Sequence, residues 1–137
     1  MNATLIRFTT LLGRVCIALI FLISGAGKAA DLPGTAAYMT SKGIPSASVL
    51  LLGALVCEFG GATLVLLGFR ARLGAFLLLL FLIPTTFIFH NFWAATGAEA
   101  TAQMLQFLKN VAIMGGLLLL CAYGAGPLSL DARRRGR

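Results

Sequence analysis

Residues 14–28 read RVCIALIFLISGAGK, and the fold follows from how this stretch is read. Arg14, Ala18, Phe21, Gly25 and Lys28 recur at spacings of four, three, four and three. On a helix that spacing makes one stripe, with Ser24 beside it. A cation stands at each end. At about 1.5 Å per residue the two charges are roughly 21 Å apart, and the only ionisable side chain between them is the thiol of Cys16. A charge in lipid is costly unless it faces protein or water. The stretch is therefore predicted to cross a membrane with one polar face turned inward.

The rest of the chain agrees. Of 137 residues, 59% are hydrophobic and only 11% charged, and the mean hydropathy is +0.95, far from the mix of a soluble globule. Four stretches are long enough to span a hydrocarbon layer, which takes about 20 apolar residues: residues 8–27, 49–69, 73–93 and 104–123. Little chain remains outside them. The prediction is an all-α polytopic membrane protein, a single four-helix bundle over residues 1–137 with the lipid bilayer as its main partner.

A net charge of +7 raises nucleic acid as a partner, but the eleven Lys and Arg residues sit at helix ends rather than on one globular face. They read as topology signals, and no nucleic-acid binding is expected. With an even number of crossings, Arg7, Arg14, Arg70, Arg72, Arg133, Arg134, Arg135 and Arg137 share one side, leaving Lys28, Lys42 and Lys109 for the other. The positive-inside rule then gives N-in, C-in. The segment 15–23 imitates a signal peptide, but Lys28 falls in the cleavage zone and removal would leave three crossings, so the helix is expected to be retained.

Cys16, Cys57 and Cys121 lack metal-ligand spacing, and no metal site is expected; buried filler is the favoured reading over a thiol pair. The breakers between Ala29 and Ser48 predict an external loop with a short amphipathic turn near Thr35 to Ser41, after which Pro45 and Ser46 open the second helix. Glu58 is the one charge in that helix. By helical rise it stands about 16 Å above the inner end and Arg14 about 10 Å, which predicts a buried Arg14–Glu58 ion pair, with a ligand or proton role for Glu58 as the alternative. Ala54, Gly61 and Ala62 give the same helix a small-residue groove. Pro84 is expected to kink the third helix, with Thr85 and Thr86 re-satisfying its backbone. Residues 97–101 read as a second outer loop, and the tail RRRGR as a lipid anchor.

Ser24, Lys28, Asp31, His90, Asn91, Gln106, Lys109 and Asn110 all map to the outer half, from three helices and one loop. If they converge, they form a candidate ligand-binding pocket with apolar walls. An amphipathic molecule with carbonyl or hydroxyl groups suits it, a quinone above all, with the lysines polarising an oxygen and His90 and Asp31 exchanging protons. Catalytic residues are not assigned. No nucleotide-binding glycine pattern, haem attachment motif or nucleophile elbow is present.

With these residues in view, the chain resembles the DoxX family of small four-crossing membrane proteins. The resemblance rests on FLISGAGKAAD (residues 21–31), GIP (43–45), CEFGGATLVLLGFRAR (57–72) and FHNFW (89–93). Arg14, Lys28, Glu58 and His90 are the positions that match. The family is named after a subunit associated with quinone-linked sulfur oxidation, and other members are implicated in complexes handling oxidative or thiol stress. The resemblance thus supports a quinone link without carrying over a particular reaction; the expectation is a redox-associated inner-membrane protein, with a place as a subunit of a quinone-linked oxidoreductase, a membrane or periplasmic redox partner and homo-oligomers as the options left open. A non-catalytic assembly protein is the alternative; a small transporter is disfavoured for want of room.

Overall fold

A computed structural model describes residues 2–135. In chain order the helices are α1 (Ala3–Ala30), α2 (Leu32–Ser41), α3 (Ala47–Leu67), α4 (Ala71–Phe89), α5 (Gly97–Tyr123) and α6 (Leu130–Arg135), with a single 3₁₀ turn at Phe92–Ala94 before α5. Four of them, α1, α3, α4 and α5, are long and apolar enough to cross a membrane. These are the four predicted spans, displaced by a few residues at their ends.

Three differences have local causes. The outer segment after α1 is mostly helix rather than loop, because its breakers sit at helix ends: the Asp31 carboxylate accepts from the Gly34 N–H at 2.9 Å, Pro33 lies in the first turn of α2, and Thr35 donates to the Asp31 carbonyl at 2.7 Å. Pro45 stays outside α3, whose N-cap is Ser46 at φ 51°. The second outer loop is the first turn of α5, where Glu99 complements the helix dipole.

The spanning helices pack α1 on α3, α3 on α4 and α4 on α5, while α1 and α5 touch only sparsely. The ring is therefore nearly open along one side. Ala18, Phe21, Ala62, Val65, Leu78, Leu82 and Leu117 are central to the core. Small residues set the α3–α4 distance: a Cβ on Gly61 would lie 3.0 Å from the Gly74 carbonyl, and one on Gly74 would lie 2.8 Å from the Gly61 carbonyl. The two backbones touch. Ala54 is only half-buried, so the groove expected on α3 is carried by Gly61 and Ala62. Helix α4 runs on through Pro84 to Phe89, and the Thr85 and Thr86 hydroxyls donate to the Phe81 and Leu82 carbonyls, each at 2.7 Å. The large apolar side chains left exposed, among them Phe8, Val56, Phe76, Leu105 and Leu119, face the surroundings as lipid-exposed residues do.

At the arginine-rich end, the segment after α5 turns back under the bundle. Asp131 donates its N–H to the Gly68 carbonyl at 2.8 Å and accepts from the Arg70 and Ala71 N–H groups at 2.8 and 3.1 Å, capping α4 from a distance in sequence. Arg72 donates to the Ala122 carbonyl at 3.0 Å. Arg14 is 1% exposed and donates to the Leu128 carbonyl, while its Nε and Nη1 have no partner among the described residues. Of the tail RRRGR, only Arg133, Arg134 and the backbone of Arg135 fall within the described residues.

Candidate functional site

Glu58 is fully buried at the middle of α3, and its partner is Lys28. The Lys28 ammonium donates to Glu58 Oε1 at 2.8 Å, to Oε2 at 3.0 Å and to Ser24 Oγ at 2.6 Å. It also stands 5.6 Å from the centre of the Phe81 ring, within cation–π range. The predicted Arg14–Glu58 pair is not formed, and the reason is side-chain direction. Helical side chains lean toward their own N-terminus. On α1 that sends Arg14 toward the inner end, down to Leu128, and sends Lys28 from the outer end into the bundle. Helix α3 runs the opposite way, so Glu58 leans outward and meets the lysine. Rise per residue had put the two backbones at comparable depth but ignored this lean.

The cluster lies in the wall of a cavity of about 870 Å³ in the outer half of the bundle. Five predicted residues line it: Ser24, Lys28, His90, Lys109 and Asn110. The other three do not. Asp31 is occupied in capping α2, Gln106 accepts from Lys109 on the exposed side of α5, and Asn91 lies in the turn before the 3₁₀ segment. Asn110 is 6% exposed and donates to Thr86 Oγ1 at 3.1 Å, fixing α5 to α4. His90 Nδ1 is 2.9 Å from Gln103 Oε1, which orients the ring from the first turns of α5.

Sequence reading missed the other wall. Thr35, Tyr38, Met39 and Lys42 bring α2 over the outer end of the cavity, and Tyr38 stacks on Phe89 with centroids 5.6 Å apart. Asp31 followed at once by Leu-Pro-Gly is a helix-start signal that could have revealed this helix. Most of the lining is apolar, including Phe21, Leu51, Phe81, Leu82 and Ile113. Residues of α1 and of α5 both reach the cavity where those helices stand apart, and in the inner half Ile17 closes against Gly116. The cavity thus borders the sparsely packed α1–α5 side of the bundle. Trp93 packs edge-on against Phe92 and Phe107 and at a tilt against Phe87 at the outer end, the placement expected of an interfacial aromatic belt. Cys57 lines the cavity and Cys16 is exposed on α1, so the cysteines are not the buried filler expected; all three are free thiols.

Comparison with known proteins agrees with this architecture. The DoxX family model matches residues 9–91. The chain is 39% identical to the inner membrane protein YphA of Escherichia coli over 123 residues, covering 90% of this chain and 88% of that one. It is 35% identical to the inner membrane protein YqjF of the same organism over 121 residues, 88% of each chain. A shorter match, 29% identical over 69 residues, links 50% of this chain to 22% of the yeast ER-derived vesicles protein ERV29. No solved structure matches. A four-span bundle with these relatives, matched across most of its length, belongs to the DoxX family of multi-pass bacterial inner-membrane proteins.

Proposed function

We propose that this protein is a redox-associated subunit of the inner membrane whose outer-half cavity holds a quinone-like lipophilic molecule. The observation that carries the reading is a charged and hydroxylated cluster, Lys28, Glu58 and Ser24, set into the wall of a mostly apolar cavity of about 870 Å³. Ligand pockets fall in the range of about 300–1,000 Å³ and have this make-up, apolar walls with a few convergent polar groups. A quinone ring would lie against Phe21 and Phe81, with one carbonyl oxygen accepting from Lys109 or Asn110. His90, near the outer end, would pass protons between ring and outer water. An isoprenoid tail would leave through the gap between α1 and α5. Electrons reach the ring from a membrane or periplasmic partner in this reading.

One observation favours a second reading, a non-catalytic assembly protein. The three hydrogens of the Lys28 ammonium are met by Ser24 and the two Glu58 oxygens, as in a pair that only fixes helix register. Native mass spectrometry of protein released from quinone-containing membranes separates the two. Retention of a lipoquinone by the wild type, and its loss from Lys109→Met and Asn110→Leu, is the expected result. Wild-type protein that carries none, even after quinone is added to the micelle, moves the assignment to the scaffold.

A further inference from the structure

The arginine-rich end holds a second cavity, of about 720 Å³, between the start of α4, the end of α5 and the returning C-terminal segment. Three guanidinium groups border it: Arg70, Arg72 and Arg134. Arg70 and Arg134 stand over the same Phe69 ring, 5.9 and 4.6 Å from its centre. Two like charges have been drawn to one place. The carboxylate beside them, Asp131, has both oxygens engaged by the backbone N–H groups of Arg70 and Ala71. Among the described residues the only ion pair is Lys28–Glu58 at the other end of the bundle. Three cations against one carboxylate leave the cavity with a surplus of two positive charges.

Its remaining walls are apolar or neutral, with Leu73, Ala125 and Pro127 on one side and the 83% exposed Tyr123 at the mouth. The residues that frame it, Ala71 and Tyr123, are the ends of two helices long and apolar enough to cross a membrane. Guanidinium groups bind phosphate through paired N–H donors, and a basic recess at the cytoplasmic end of packed spans suits an acidic headgroup. Arginines lining the recess, an apolar flank and a place at the span ends are the chemistry of a phospholipid phosphate with the first carbons of its chains.

We propose that this cavity binds the phosphate headgroup of an anionic phospholipid of the inner leaflet. The lipid does more than decorate the surface. Its phosphate bridges Arg134 of the returning segment to Arg70 and Arg72 of the α3–α4 turn, and so fastens the segment whose Leu128 carbonyl receives Arg14. The site is independent of the outer cavity and of any ligand there.

The test uses the full-length protein in neutral detergent, with phosphatidylglycerol and phosphatidylcholine offered in equal amounts and retained lipid read by native mass spectrometry. At least a tenfold preference for phosphatidylglycerol is expected, falling as salt is raised. Arg70→Gln/Arg134→Gln should lose that preference, while Arg133→Gln, outside the cavity, should keep it. The wild-type preference and its salt dependence test the site even where the double variant assembles poorly. Equal retention of the two lipids by the wild type, or an undiminished preference in a folded double variant, overturns the proposal. Inorganic phosphate that displaces phosphatidylglycerol at millimolar concentration reassigns the site to a soluble anion.

Discussion

Replacing Lys28 by Met keeps the length of the side chain and deletes its charge. In the wild type the ammonium meets both Glu58 oxygens, and the Glu58 side chain is 1% exposed while the lysine side chain is 26% exposed. Removing one partner of a buried pair costs about 3–5 kcal/mol, because the other charge stays buried and unpaired. The lysine's partial exposure argues for the lower end. About 3 kcal/mol corresponds to a little over a hundredfold in the unfolding equilibrium. Glu58→Gln added to Lys28→Met removes the orphaned charge and should recover most of the loss, so the two changes are strongly non-additive. Reversible unfolding in mixed micelles, followed by circular dichroism as the denaturing detergent fraction rises, measures all three variants. A Lys28→Met protein within about 1 kcal/mol of wild type, or a double variant no more stable than the single one, refutes the reasoning that ties the bundle to this pair.

Two further outcomes follow from the same geometry. Gly68→Ala places a methyl group against the Arg14 guanidinium and Ser129 at a backbone φ of +63°, so a loss of about 2–4 kcal/mol is expected in the same unfolding assay. Asp31→Ala removes the cap of α2, costing about 1 kcal/mol, and leaves lipoquinone retention unchanged in native mass spectrometry because its carboxylate turns to Gly34 rather than into the cavity.

How far the sequence carries the fold is clearest on α1. Of the stripe drawn from spacing alone, Arg14, Ala18, Phe21, Gly25 and Lys28, the first four are the residues that α1 buries and Lys28 is half-buried, because a 3.6-residue period leaves little freedom about which side faces the protein. The four spans were legible for the same reason: hydropathy is a sum over many residues. Pairing is not such a sum. The partner of Glu58 depends on the lean of three side chains on antiparallel helices, and residue counting placed Arg14 there in error. Five of the eight outer-half polar residues reach the cavity, since depth and face could be inferred together. Asp31 and Gln106 could not be sorted that way, because a local cap or a neighbouring ammonium on the same helix competes for them. The C-terminal return was invisible, resting on a main-chain carbonyl and on a carboxylate that caps a helix some sixty residues away, neither of which leaves a periodic trace.

The contact between Arg14 and the carbonyl of Leu128 spans 114 positions in the chain, and this imposes an order on biosynthesis. The first helix leaves the ribosome and enters the translocon carrying a guanidinium whose protein acceptor has not yet been made. Until more than a hundred further residues are translated, that charge must be screened by water or lipid phosphate at the inner face. Docking of the C-terminal segment is therefore a late closing step. A chain that stops before Leu128 lacks that acceptor altogether, so the first helix keeps its guanidinium at the membrane surface rather than sealed beneath the bundle.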